Sequence, residues 1–508
     1  MRDEGIGSWP ARRARSSPER TAIVHGERSF TYAELHERVN RLAAALRRLG
    51  VRRGDRVAYL GANHPALLET LFAAGTLGAV FVPLNTRLAV PELAYMLDDS
   101  GARVLVYGAE RAEEATALAR RPDPRTLVTV GGSAPAGHEA YEELIASAPV
   151  DPVDEPVGLD DTCMIMYTSG TTGRPKGAEL THGNITWNCV NVLIDVDVTA
   201  DEVTLVSAPL FHTAALNMTC LPTLLKGGRV VVEPGFDPER ALALFATERI
   251  SWMFGVPAMF DALTAHPGWA DADLSSLRVL MAGGAPVSES TIAAYQERGL
   301  TFLQGYGMTE TAPGVLMLGA ADSVRKAGTA GRPSLFTDVR IVRPDLTDAD
   351  PGEPGEIVVR GPNVMRGYWG RPDDTARAHT ADGWFRTGDV ATGDPEGFVT
   401  IVDRAKDMII SGGENIYPAE VESVLHDHPD VLECAVIGVP DERWGEVGRA
   451  VVVPRPGTAP TEKDLLAHVE GRLARYKIPK SVVFTDALPR NATGKLRKAD
   501  LRRDHGTP

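Results

Sequence analysis

Cysteine is scarce in this 508-residue chain: Cys163, Cys189, Cys220 and Cys434 are the whole set, with no C-x-x-C pair and no His/Cys spacing suited to zinc. That argues against a disulfide framework and against a thiolate metal site. No run of 18 apolar residues occurs, so no transmembrane helix is expected. The opening Met1-Arg2-Asp3-Glu4 lacks the apolar core of a signal peptide, and a cytoplasmic protein is expected. Positive charge is in deficit, 53 Lys and Arg against 68 Asp and Glu for a net charge of −15, which argues against a general nucleic-acid binder. The first sixty residues run the other way, with Arg12, Arg13, Arg15, Arg20, Arg47, Arg48, Arg52 and Arg53. They read as a solvated basic face, with peripheral contact to anionic lipid as the alternative. Internal repeats are also lacking.

What is present describes a globular protein of two or more domains, 43% hydrophobic and 24% charged. Leu35, Val39, Leu42, Leu46 and Leu49 form one helical stripe behind an N-cap at Thr31, and Gly50 stops it. Residues 57–60 and 79–84 read as strands around a helix over 65–77, and this alternation predicts an α/β fold with parallel pairing. The Gly/Pro/Asp-rich stretch 131–156 reads as a loop.

Residues 167–177, Tyr-Thr-Ser-Gly-Thr-Thr-Gly-Arg-Pro-Lys-Gly, concentrate backbone freedom, hydroxyls and positive charge. Gly170, Gly173 and Gly177 allow close approach of backbone N–H groups, Thr168, Ser169, Thr171 and Thr172 add hydroxyls, and Lys176 adds charge. The apolar run 164–167 delivers this loop as a buried strand would, and the whole predicts a phosphate cradle. It is not a Walker A loop, because Pro175 stands where glycine must precede the lysine.

Further along, residues 205–212 read as a strand ending in Phe211-His212. Gln304-Gly305-Tyr306-Gly307-Met308-Thr309-Glu310-Thr311 reads as an exposed loop offering an aromatic face for a purine, a hydroxyl for a phosphate and a carboxylate for Mg²⁺. Near the C-terminus stand a glycine loop, Ser411-Gly412-Gly413-Glu414, and the octapeptide Pro489-Arg490-Asn491-Ala492-Thr493-Gly494-Lys495-Leu496. Taken singly, each of these motifs could be an ordinary turn, core or solvated segment.

Taken in order from Pro18 to Leu496, the motifs resemble those of the adenylate-forming superfamily, in its acyl-CoA synthetase branch. The resemblance extends to bacterial medium- and long-chain fatty-acyl-CoA synthetases, including Asp441-Glu442-Arg443-Trp444-Gly445-Glu446. It implies a large N-terminal domain of α/β subdomains, residues 1–402, and a small mobile α+β domain, residues 403–508, with Asp403 as hinge. It implies ATP, Mg²⁺ and CoA as reactants and cofactor, and a carboxylic acid activated as acyl-AMP with release of pyrophosphate. By the same resemblance Lys495 bridges carboxylate and α-phosphate, Thr309 binds the α-phosphate, Glu310 holds Mg²⁺, and the 168–176 loop holds the β- and γ-phosphates. Gly284, Ala285, Pro286, Gly305, Tyr306 and Gly307 are assigned to the nucleotide, Asp389 and Arg404 to the ribose, and Gly412, Gly413 and Glu414 to CoA. His212 is assigned to the wall between ATP and acid, and Phe211, Val256, Ala282, Gly283, Met308 and Gly314 to the acyl pocket.

Segments 211–218, 252–260, 281–286 and 303–314 contain no Lys or Arg and no acid besides Glu310, so diacids and amino acids are disfavoured. Phe211, Met218, Trp252, Met253, Phe254, Met259, Leu303 and Met308 offer apolar walls. A fatty acid is the expected substrate and an aryl acid the second choice. No carrier-protein domain follows Lys495, which favours CoA over a ligase loading a separate carrier. A nucleotide-binding regulator without turnover is the alternative of a different class. The P-x-x-x-x-G-K context of Lys495 resembles lysines acetylated in this family, implying an acetyltransferase and deacetylase as partners. A homodimer is compatible with the sequence.

Overall fold

The computed structural model describes residues 4–119, 125–153, 155–168, 174–284, 287, 289–404, 409–416, 418–489 and 498–506. They divide into two compact units, one comprising residues 1–86, 97–166 and 177–403, the other residues 87–96, 167–176 and 404–508.

The larger unit is built on three sheets. In the nine-stranded sheet, Val203–Val206, Trp252–Gly255, Val279–Ala282 and Phe302–Gly307 are parallel neighbours in that order. The chain then reverses, and Gly314–Leu318 pairs antiparallel with Phe302–Gly307. The eight-stranded sheet centres on Arg56–Leu60, Val80–Pro83 and Val104–Gly108, also parallel. The strands are short, nearly continuous Val, Leu, Met and Phe runs buried on both faces, as parallel strands covered by helices must be. A four-stranded sheet, Asp338–Val342, Gly355–Arg360, Phe385–Gly393 and Val399–Arg404, completes the unit.

The helix Tyr32–Arg48 starts at a capping box in which Thr31 and Glu34 satisfy each other's backbone N–H groups, and Gly50 at φ +92° follows its end. The stretch 131–156 departs from the loop expected there. It contains the strand Glu139–Ala140 and the helix Tyr141–Ala146, because Tyr141, Leu144 and Ile145 form a one-turn apolar stripe that buries completely. The strand expected over 205–212 ends at Val206. Pro209 offers no N–H, and buried Asn63 draws the chain out of the sheet by donating to Ala208 O (2.9 Å) and accepting from Leu210 N (2.8 Å).

The helix His182–Asp195 crosses this core behind its own capping box of Thr181 and Asn184. Its first residue, His182, is fully buried and accepts a hydrogen bond from Ile6 N on Nδ1 at 3.1 Å. Burial lowers its pKa to about 4. The unfolded chain therefore takes up a proton near pH 6.5 that the folded one refuses. The stability this contributes is complete above pH 6.5 and is lost as pH falls towards 4, by about 3 kcal/mol. Urea unfolding measured across that window is expected to show this decline, and His182→Asn is expected to flatten the slope by one proton.

The smaller unit has its own sheet, in which Val431–Asp441 and Gly445–Pro454 form a long antiparallel pair flanked by Ile409–Ser411, Glu414–Ile416 and Ser481–Phe484. The helices Pro418–His426 and Glu462–Val469 supply Val421, Leu425, Leu465 and Val469 to a separate apolar core. Lys477 is buried in this unit and donates to Glu92 and Glu420, both at 2.8 Å. Burial pushes Glu420 up to about 7 against the opposing pull of Lys477. No described helix is long and apolar enough to cross a membrane.

Candidate active site

Four parallel strands end side by side, and the residues just beyond their carboxyl ends are those singled out in the sequence. Phe211 and His212 follow Val203–Val206, with ring centroids 4.7 Å apart; Phe211 is half-buried and His212 exposed at the start of the π-helix Ala214–Cys220. Val256 follows Trp252–Gly255 and starts the helix Pro257–Ala265. Ala282 is the last residue of Val279–Ala282 and is buried, Gly283 packs closely between the Phe254 ring and Gly305 O, at 3.2 and 3.3 Å from where a Cβ would stand, and Gly284 is exposed at φ +83°. A Cβ on Gly284 would lie 3.9 Å from Val256 Cγ1, so these two line one space.

Gly305, Tyr306 and Gly307 are the last residues of a strand, not the exposed loop expected from the sequence. The reversal explains it: after the short turn Thr309–Thr311 the chain comes straight back as Gly314–Leu318 and pairs with them. A side chain on Gly307 would overlap Pro313 O, at 1.7 Å, so glycine is required there. The pairing leaves Tyr306 half-buried, its hydroxyl donating to Asp389 Oδ2 at 2.7 Å, where the strand Phe385–Gly393 presents the buried carboxylate. The sequence separates these two residues by 83 positions; the fold joins an aromatic face to an acid.

Glu310 is buried, with Oε1 accepting from the Tyr368 hydroxyl at 3.0 Å and its carbonyl from Met365 N at 2.8 Å. Mg²⁺ takes one or two protein carboxylates and fills its remaining positions with water and substrate phosphates, and a single oriented carboxylate beside the half-buried Thr309 and Met308 fits that demand. Tyr368 was not singled out in the sequence; a tyrosine in a short Gly-Tyr strand carries no signal of its partner. Trp252, Met253 and Leu303, expected as pocket walls, belong instead to the core, at 0%, 0% and 1% exposure. They point inward because strands buried on both faces have no open side.

Thr168 ends the strand Thr162–Thr168 and donates to Lys176 O at 3.4 Å, where the neighbouring strand Lys176–Thr181 begins. Ser169, Gly170, Thr171, Thr172 and Gly173 lie outside the described residues, as do Ala285, Pro286 and Lys495. Asp403 and Arg404 close the backbone of the strand Val399–Arg404. In the smaller unit Gly412 and Gly413 turn at φ +56° and +81° between two strands, and a Cβ on Gly412 would sit 2.6 Å from Trp444. Glu414 is buried and paired with Arg87 of the same unit.

Strand ends that carry an aromatic–carboxylate pair, Tyr306 with Asp389, and a metal-competent carboxylate, Glu310, suit a nucleotide-dependent ligase of the adenylate-forming class. The chain belongs to the AMP-binding enzyme family, whose model matches residues 10–369, with the C-terminal domain of the same enzymes matching residues 420–495. It is similar to a feruloyl-CoA synthase of an Amycolatopsis species, 59% identical over all of both chains. It is 40% identical to the long-chain fatty-acid–CoA ligase FadD13 of Mycobacterium tuberculosis, over 99% of each. A double mutant of the o-succinylbenzoate CoA synthetase of Bacillus subtilis, solved with a product analogue, superposes with a TM-score of 0.87 at 33% identity, covering 98% of each chain. The chain is an AMP-forming acid–CoA ligase, with ATP and CoA as co-substrates and Mg²⁺ as the family's cation.

Proposed function

We propose that this ligase activates an aryl acid of the hydroxycinnamate type, and that a fatty acid is not its main substrate. The observation that carries the reading is the 59% identity to a feruloyl-CoA synthase over the full length of both chains, against 40% to a fatty-acid ligase. This reverses the order of preference drawn from the sequence. Two features of the site agree. Met218 closes the space behind Gly314, its sulfur 3.3 Å from where a Cβ would stand, which suits a flat ring better than an extended chain. The Asn217 amide, fully buried, finds no hydrogen-bond partner among the described residues, and a ring hydroxyl or methoxyl would offer one.

The chemistry answers a leaving-group problem, since a carboxylate cannot expel oxide. Its oxygen attacks the α-phosphorus of ATP, the bond to the β-phosphate oxygen breaks, and pyrophosphate leaves. The CoA sulfur then attacks the acyl carbon, and the bond to AMP breaks with its electron pair on phosphate. In this reading Tyr306 packs on the purine, Asp389 takes the ribose hydroxyls, Thr309 donates to the α-phosphate and Lys495 carries positive charge to the oxygens that gather negative charge. Glu310 would hold Mg²⁺, which would supply charge neutralisation on the phosphates. Residues 1–402 form the adenylating domain and 403–508 a lid that pivots at Asp403 between the half-reactions, in the cytoplasm.

Pyrophosphate release with ATP and Mg²⁺, measured across fatty, aryl, dicarboxylic and amino acids with and without CoA, tests this. Release is expected to peak with ferulate or 4-coumarate, with thioester formed only when CoA is present. A peak with an aliphatic acid would overturn the substrate assignment.

A further inference from the structure

The helix His182–Asp195 carries Asn184, Asn188 and Asn191 at i, i+4 and i+7, all on one face and all buried. Asparagine is a poor residue for a helix interior, and three in one stripe facing a core need partners. Each finds them in the main chain of a different segment. Asn184 Nδ2 donates to Pro362 O and Val364 O, both at 2.8 Å. Asn188 Oδ1 accepts from Gly314 N at 2.9 Å while its Nδ2 donates to Asn217 O at 2.8 Å. Asn191 Oδ1 accepts from Phe336 N at 2.9 Å, and its Nδ2 donates to Thr337 Oγ1 at 3.1 Å. Thr337 in turn donates to Asn363 Oδ1 at 3.0 Å, and Asn363 Nδ2 donates to Thr311 O and Gly314 O at 2.9 and 2.7 Å. Gly314 is therefore gripped at both its N–H and its carbonyl by two asparagines that are themselves fully buried.

We propose that Asn188 is a positioning residue that sets acid selectivity, by fixing the separation between the π-helix wall and the strand start at Gly314. Among the described side chains it is the one whose bonds reach the main chain of both segments, at Asn217 O and Gly314 N. The inference rests on the reading that these segments face the acid. Losing one arm leaves a buried carbonyl or N–H unpaired, so the segments must shift to recover it. Shifts of that kind change binding of the acid according to its shape, while the turn beside Gly307 keeps the bonds from Met308 N and Thr311 Oγ1 to Pro313 O, which Asn188 does not make.

The test is steady-state pyrophosphate release by Asn188→Leu with ferulate, 4-coumarate and cinnamate, alongside Tyr141→Phe, which removes a buried hydrogen bond to Glu69 far along the chain. For Asn188→Leu the KM for ferulate is expected to rise about 10-fold or more, and the ferulate-to-cinnamate ratio of kcat/KM to change at least about 5-fold, while the KM for ATP stays within about twofold. Tyr141→Phe is expected to lower the melting temperature without moving that ratio. If Asn188→Leu does not fold, Asn188→Ser, whose short hydroxyl cannot span both partners, is read in its place. An unchanged acid ratio in a folded variant, an equal fall for all acids and ATP, or failure of both variants to fold overturns the inference. Silence of the unsubstituted enzyme with every aryl acid would instead overturn the function proposed above.

Discussion

Lys495→Ala is expected to abolish formation of acyl-AMP while leaving conversion of supplied acyl-AMP and CoA to thioester nearly intact. The two half-reactions make opposite demands on charge. Adenylation brings a carboxylate against a polyphosphate, and an ammonium that touches both relieves the repulsion where it is greatest. Thioester formation breaks a bond that releases AMP, and needs no cation between acid and phosphate. Removing a preorganised donor of this kind typically costs about 10²–10³ in rate, roughly 3–4 kcal/mol. Pyrophosphate release should fall by at least that factor, with the supplied-intermediate assay separating the steps. Equal loss in both would remove Lys495 from the role proposed for it. Acetylation of the same amine erases the same charge, so a Lys495-acetylated enzyme should behave as the alanine variant does.

Glu310→Gln is expected to cut adenylation by about 10²-fold and to move the Mg²⁺ concentration for half-maximal rate upward. The amide keeps the shape and can still accept from Tyr368, so the hydroxyl contact at 3.0 Å survives and the fold should be unperturbed. What is lost is the negative charge that a hard cation prefers. Tyr368→Phe provides the contrast, because it removes orientation but not charge and should cost far less. A Glu310→Gln enzyme with an unaltered Mg²⁺ titration would show that the carboxylate serves only to anchor its turn.

Much of the fold was legible because its elements advertise themselves locally. Short Val- and Met-rich runs between helical stripes announce parallel strands, and Thr31 with Glu34 announces a helix start. What was hidden depended on pairing across distance. Gly305-Tyr306-Gly307 has the composition of a loop, and only the returning strand at Gly314 makes it part of the sheet. Trp252 and Leu303 look like pocket walls until both faces of their strands are covered. The bond from Tyr306 to Asp389 and the turn forced on residues 207–212 by Asn63 come from residues 83 and about 145 positions away. The asparagine stripe was in principle readable, since polar residues at i, i+4 and i+7 on an otherwise apolar helix break the expected pattern, but most of its partners are backbone atoms and backbone atoms leave no mark in a sequence.

That last property bears on how such an enzyme changes its diet. The bonds around the segments proposed to face the acid run from Asn184, Asn188, Asn191 and Asn363 largely to main-chain carbonyls and amides, groups that nearly every residue possesses. Those main-chain bonds do not depend on which side chains stand at 211 or 256, whereas Met218 also touches Asn188 through its sulfur. Drift or laboratory selection can exchange the lining one residue at a time, retuning which acids enter, without first having to rebuild the vessel that holds them.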